Sequence, residues 1–329
     1  MSGVETAEVS ADDDDIRLDR WFRRRYPGLK QGALEKLLRT GQIRVDGKRA
    51  KANLRLTEGQ QIRIPPQAAA TPVETPRHES RKLDAKDAAF VQSLVIYRDE
   101  EVIALNKPPG LAVQGGTKTA RHIDAMLDGL RFGSKERPRL VHRLDRDTSG
   151  ILLLARSAKV AARLGKAFQG RNVRKIYWAL AVGVPERDEG RIDLPLGKRP
   201  GPHGERMMPD EKEGKSAVTL YSIVERAGKA ASWLALWPLT GRTHQLRAHC
   251  AAMGHPVAGD GKYGGEEAFL VAEGVARQVH LHARELRLPH PSGRGELHIT
   301  AELPPHMAES WDLFGFDRNY AGDPFAAFE

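Results

Sequence analysis

Leu140-Val141-His142-Arg143-Leu144-Asp145-Arg146-Asp147-Thr148-Ser149-Gly150-Ile151-Leu152-Leu153-Leu154-Ala155 runs from a charged segment, through a Thr-Ser-Gly turn, into an unbroken apolar stretch. An apolar run of about four to eight residues beside a glycine turn predicts a buried strand. Asp145 then sits at the mouth of that strand, flanked by Arg143 and Arg146. A carboxylate there is partly desolvated and kept ionised by its neighbours, as a carboxylate nucleophile or base requires. The competing reading is that Asp145 and Asp147 only cap turns.

Downstream, Ile176–Val182, Ala217–Val224, Ser232–Trp237, Val279–Leu288 and Glu296–Leu303 carry strand patterns. Upstream, Leu94–Tyr97 and Val102–Leu105 flank Asp99-Glu100-Glu101 as a hairpin. Beyond residue 93, helical spacing is confined to His122–Leu130, Ala158–Phe168 and Thr243–Met253. Strands outnumber helices and hairpins recur, so the expected fold is α+β with a mixed, largely antiparallel sheet. Trp311–Glu329 is mixed aromatic and acidic and carries no functional signal.

The first sixty residues have a different character. Met1–Asp15 holds six acids and no base, which predicts a disordered acidic tail without the apolar core of a signal peptide. Ile16–Arg63 holds fourteen Lys/Arg against four Asp/Glu, a net of +10. So basic a module points to a polyanion, most simply nucleic acid. Two short amphipathic helices are expected around Trp21 and around Leu34–Leu38, followed by a hairpin turning at Asp46-Gly47. Pro65 to about Ala89 lacks apolar periodicity and reads as a linker. The expected boundaries are therefore a tail at 1–15, a basic module at 16–64, a linker at 65–92 and a catalytic part at 93–329.

Composition narrows the setting. Forty per cent hydrophobic residues over 329 positions suit a globular protein, and no apolar run approaches the roughly 20 residues of a membrane span. Cys250 is the single cysteine, which excludes disulfides within the chain and predicts a reducing, cytoplasmic setting. His244 and His249 invite a metal reading. Their spacing of five does not stack them on one helical face, and no Cys/Asp/Glu cluster joins them, so no metal is expected. Three polar stretches remain for chemistry: the Asp145 segment, Lys175–Tyr177 and Thr240–His249. The last opens a helix after a glycine, and Arg247 could reach from it to a carboxylate and hold it charged.

Arg17-x-Asp19-x-Trp21 with Gly41-x-Ile43-x-Val45-Asp46-Gly47-Lys48 resembles the S4 RNA-binding domain. That resemblance implies that the second helix and hairpin cradle an RNA backbone, with Lys30, Lys36, Arg39, Arg44 and Lys48 as phosphate contacts. His142–Gly150 is accompanied by Asn106-Lys107-Pro108-Pro109-Gly110, Lys175-x-Tyr177-x-Ala179 and Thr240-Gly241-Arg242-Thr243-His244-Gln245-Leu246-Arg247-x-His249. Together, over about residues 93–303, these resemble the RluA family of pseudouridine synthases. Arg146–Gly150 and Gly115-Gly116 fit its large-subunit type-C branch, while Gln114 stands where His is expected.

The resemblance implies isomerisation of uridines in large-subunit (23S) ribosomal RNA by a monomer without a cofactor. Asp145 matches the essential aspartate, Tyr177 the tyrosine that packs on the target base, and Arg247 the arginine that pairs with the aspartate. Arg143 matches the residue that fills the helix after the uridine flips out, and Lys107 and Arg242 are further RNA contacts. Two alternatives stand beside it: a transfer-RNA synthase of the same family, and a non-catalytic S4-type assembly factor.

Overall fold

The computed structural model describes residues 4–10, 13, 16–69, 83–115, 121–170, 172–201 and 206–328. The chain divides into two compact units, Met1–Lys82 and Leu83–Glu329.

The first unit runs β1 (Glu5–Glu8), α1 (Leu18–Arg25), α2 (Gln31–Arg39), β2 (Arg44–Val45), β3 (Lys48–Arg49), β4 (Gln61–Ile64) and α3 (Pro66–Ala69). Leu18, Trp21 and Phe22 of α1 and Leu34, Leu37 and Leu38 of α2 pack on Ile43, Ile62 and Ile64. Burying each large side chain contributes on the order of 2 kcal/mol. Asp46 and Gly47 take φ of 48° and 74°, the left-handed pair that a two-residue hairpin turn needs. The acidic tail requires correction. Glu5–Glu8 is a strand paired antiparallel with β4, and Ala7 and Val9 are buried. Two small apolar residues two positions apart carry the strand pattern beneath the acids.

The second unit begins with α4 (Ala85–Ser93), followed by β5 (Val95–Arg98), β6 (Val102–Lys107), α5 (Ile123–Met126), β7 (Arg139–Leu140), β8 (Ser149–Ala155) and α6 (Ala158–Gln169). Then come β9 (Arg174–Val182), β10 (Glu189–Asp193), β11 (Leu196–Arg199), β12 (Arg206–Pro209), β13 (Val218–Ala227) and β14 (Ala231–Pro238). The chain closes with α7 (Gln245–Ala252), α8 (Gly261–Gly264), β15 (Leu281–Pro289), β16 (Glu296–Thr300) and α9 (Pro305–Phe314).

The expected linker is corrected here as well. Asp84 caps α4 by accepting the Lys86 amide, and Val91 is fully buried in the core with Leu83 and Phe90 packed beside it. This helix belongs to the second unit, which therefore starts at Leu83 and not at residue 93. Residues 70–82 of the expected linker lie outside the described residues, as does Gly116 of the glycine pair.

The main sheet has the order β10-β13-β14-β9-β15-β8-β6-β5, with β16 on β15 and β7 on β8. All pairings are antiparallel except β15 with β8, which is parallel. The sheet is thus mixed and largely antiparallel, and the expected α+β class holds. β8 is buried at all seven positions, as its unbroken apolar run predicts for a central strand covered on both faces. The C-terminal segment completes the core. Trp311 of α9, Phe316 and Phe325 pack with Trp178 and Trp233 of the sheet, Trp233 standing edge-on to Trp178 at 4.4 Å.

Candidate active site

The turn before β8 is built so that Asp145 has little freedom. Leu144 is buried in the core, and the Thr148 amide donates to the Asp145 carbonyl at 3.3 Å. Gly150 has φ 104°, and a Cβ there would lie 2.3 Å from the carbonyl oxygen of Ala283. The parallel register sets His282 beside Ser149 and Ala283 beside Gly150, so glycine is required for β15 to approach. Ser149 Oγ lies 2.9 Å from His282 Nδ1 and fixes the same crossing.

Lys107 departs from its expected role as an RNA contact. It is wholly buried, and its ammonium donates to the carbonyls of Leu111 (2.8 Å), Pro108 (2.9 Å) and Arg146 (3.0 Å). Three donors meet three acceptors, which ties the turn after β6 to the Asp145 loop. Burial pushes its pKa down to about 7 against the opposing charges of Asp147 and Asp145. Arg146 adds a second tie, donating from Nε to the Gly110 carbonyl at 3.0 Å.

Asp145, with 18% of its side chain exposed, opens onto a cleft of about 310 Å³, the lower end of the range for small-ligand sites. Tyr177 and Lys175 of β9, Leu281 of β15, and Arg143 and Arg242 also line it. Burial, with the Asp145 charge in support, raises the Tyr177 pKa, so its phenol keeps its proton. Arg143 is exposed and has no hydrogen-bond or ion-pair partner among the described residues, which leaves it available to a ligand. His142 serves the loop: its Nε2 accepts the Leu153 amide at 2.8 Å, and its ring stacks on Phe168 at 4.7 Å. Burial and the neighbouring Lys175 lower its pKa to about 3, so the ring is neutral.

The opposite wall is the stretch Thr240–Arg247, organised by Gln245. Its carbonyl oxygen accepts from Thr240 Oγ1 (2.7 Å) and the Arg242 amide (3.0 Å), and its amide nitrogen donates to the Val218 carbonyl (2.9 Å). Arg242 is exposed above this turn, held through Nε by the Ser216 carbonyl at 2.9 Å.

Arg247 does not pair with Asp145. Its Nε and second guanidinium nitrogen reach Asp260 at 2.6 and 2.7 Å, in a pair exposed by 4% and 0%. A carboxylate buried that completely needs a bidentate partner, and Asp260 takes the one nearby. Burial works against the Arg247 charge, but hydrogen bonding to Asp260 and its charge raise the pKa overall. The side chain that faces Asp145 is His244, with Nε2 3.8 Å from Oδ1. His249 points elsewhere, between Thr219 Oγ1 at 2.9 Å and the Leu194 carbonyl at 3.1 Å.

In the first unit, Lys30, Lys36, Arg39 and Lys48 are exposed. Arg44 is half-buried and donates to the carbonyls of Gly41 (3.1 Å) and Gly47 (3.2 Å). It therefore shapes the hairpin turn, which leaves it less free than the other four to meet a phosphate.

Sequence reasoning noticed Lys175 and His244 without giving them a place beside Asp145, and it missed Asp260 and Tyr263. The last two lie in Gly259-Asp260-Gly261-Lys262-Tyr263-Gly264-Gly265, whose glycine density was a usable signal. Gly259 has φ 78°, and a Cβ there would meet the Gln278 carbonyl oxygen at 1.8 Å, so the backbone is folded tightly to place Asp260.

Three comparisons with known proteins concern the chain as a whole. The profile of the family described as RNA pseudouridylate synthase matches residues 101–252. The chain is 35% identical to ribosomal large subunit pseudouridine synthase C of Rickettsia bellii, over 88% of this chain and 95% of the relative. It is 33% identical to the protein of that name from Vibrio cholerae, over 93% and 96%. Among solved structures, human RNA pseudouridylate synthase domain containing 4 superposes with a TM-score of 0.58 at 28% identity, over 70% of this chain and 97% of that one. The chain belongs to the RNA pseudouridylate synthase family, in its RluA branch, and is an RNA uridine-to-pseudouridine isomerase.

Proposed function

We propose that this isomerase acts on large-subunit (23S) ribosomal RNA, as a cytoplasmic monomer, with Asp145 as its catalytic carboxylate. The observation that carries the catalytic reading is the cleft itself. Asp145 opens into it, Tyr177 forms a wall beside it, and Arg143 and Arg242 stand at its edge. A uridine stacked in an RNA helix must be extruded before its glycosidic bond is reached, and Arg143 has the length and exposure to take its place.

The reaction breaks N1–C1′ and forms C5–C1′. The proton on C5 leaves and N1 gains one, so no electrons and no external group enter. Two first steps fit the same carboxylate, attack on C1′ and proton removal toward a glycal. Tyr177, with its phenol protonated, packs on the base. Arg247 contributes by fixing Asp260.

The ribosomal substrate is supported by relatives matched over most of their length, whose names refer to the ribosomal large subunit. The net charge of +10 in residues 16–63 supports an S4-like RNA-binding role for the first unit, with Lys30, Lys36, Arg39 and Lys48 as phosphate contacts. Among the described residues no helix is long and apolar enough to cross a membrane.

Pseudouridine mapping of total RNA with and without the gene tests this reading. Sites lost only from 23S RNA are expected. Loss from transfer RNA would replace the ribosomal assignment, and an unchanged map would leave a binding protein.

A further inference from the structure

His244 adopts φ 51° and ψ 23°, a left-handed backbone that only a few per cent of non-glycine residues take. Its imidazole does not cap α7. Nδ1 lies instead 2.9 Å from the Tyr263 hydroxyl, which already accepts the Met207 amide at 3.1 Å. The phenol keeps its own proton to donate, and Nδ1 lies within reach to accept it. A neutral imidazole that accepts at Nδ1 carries its proton on Nε2, and Nε2 is the atom 3.8 Å from Asp145 Oδ1.

Burial, against the pull of the carboxylates, favours the neutral ring. Burial lowers its pKa most; Asp145 opposes that, Arg247 and Lys262 lower it further, and Asp260 opposes. Tyr263 is itself fixed, because the Arg247 guanidinium lies over its ring at 5.1 Å and Asp260 accepts the Tyr263 amide at 3.3 Å.

From this geometry we infer that His244 is a positioning residue of the isomerisation: Tyr263 sets its tautomer, and its Nε2–H holds the Asp145 carboxylate toward the nucleotide. The inference rests on Asp145 being the catalytic carboxylate. The 3.8 Å separation closes to a hydrogen bond when RNA fills the cleft, as active-site hydrogen bonds that are long in the free enzyme commonly do. It also gives the Asp260–Arg247 pair a route to the reaction without touching Asp145, through the ring of Tyr263.

The test compares His244→Asn, Tyr263→Phe, the double variant and Asp145→Asn in the full-length protein, on a transcribed 23S RNA fragment. Asparagine tolerates the left-handed backbone but ends short of Asp145. His244→Asn is expected to lower kcat by about ten- to hundredfold, the loss of one hydrogen bond to a charged group, with KM and RNA Kd within about twofold of wild type. Tyr263→Phe should lower kcat less, and the double variant should be no worse than His244→Asn, because Tyr263 acts through His244. Wild-type kcat in His244→Asn, or losses that multiply in the double variant, would overturn the inference. If His244→Asn fails to fold, Tyr263→Phe decides alone, and an unchanged kcat overturns it. Substantial turnover by Asp145→Asn would instead remove the reading of Asp145, whatever His244 does.

Discussion

Cations serve different purposes in the two units. Lys30, Lys36, Arg39 and Lys48 of the first unit project from helix and hairpin into solvent. Around Asp145, Lys107 and Arg247 are sealed inside, Lys107 by three carbonyls and Arg247 by Asp260. Availability, not residue type, separates a phosphate contact from a structural cation. Exposed cations can exchange counterions for RNA, whereas a buried one already has its acceptors and would leave them orphaned if it moved.

The largest effect that can break this contrast is expected at Arg247. Arg247→Ala leaves the buried Asp260 carboxylate without its cationic partner, which should cost about 3–5 kcal/mol of stability. Arg247→Lys should recover only part of it, since the fork is lost. Urea unfolding measures this. Unchanged stability together with lost turnover would restore a direct partnership with Asp145, as the sequence alone suggested.

A second difference between the units is acid sensitivity. Burial is the main cause that lowers the pKa of His142 and His282 to about 3 and of His280 to about 4, while in an unfolded chain each sits near 6.5. Between those values the unfolded state binds protons that the folded state refuses, so stability falls as pH drops from about 6.5 toward 4. For the fully buried His282 the loss is on the order of 2 kcal/mol at pH 5. The described residues of the first unit contain no histidine. Hydrogen exchange at pH 7 and pH 5, corrected for intrinsic rates, should show protection falling in β8 and β15 but not in β4. Equal losses in both would contradict these assignments.

Smaller effects sharpen the comparison at the surface. Replacing Lys30, Lys36, Arg39 and Lys48 with Gln should lower the slope of log K against log salt by roughly 0.7 to 0.9 for each phosphate that is no longer neutralised, with the modified uridines unchanged. Arg44→Gln should change the slope least, because Gly41 and Gly47 already hold that guanidinium. Salt-dependent RNA binding separates the two. A drop in slope at Arg44 equal to that at Lys48 would put Arg44 back among the phosphate-binding cations.

Which features were legible in the chain follows from the range over which they are set. β8, the Asp46-Gly47 hairpin and the apolar stripes of α1 and α2 depend on local periodicity and turn chemistry, so reading along the chain finds them. β1 escaped because acids outnumber its one apolar residue, and α4 because its apolar residues are mostly alanines, with only Phe90 and Val91 large, so no stripe marks the helix. Lys107 and Arg247 were misread for another reason. Their partners lie at Arg146 and Asp260, and only the folded sheet and the glycine-rich turn before α8 show which acceptor each cation meets. His244 was visible but weighed as a metal ligand, and its left-handed backbone has no signature in sequence.

The central claim is that Asp145, held rigidly at the cleft mouth, is the group that reacts. Single-turnover assay of Asp145→Asn on a 23S RNA fragment, paired with its RNA affinity, tests it most directly. The asparagine keeps the shape and removes the charge, so pseudouridine formation should vanish while Kd stays within a few-fold of wild type. Substantial pseudouridine formation by this variant would contradict the assignment.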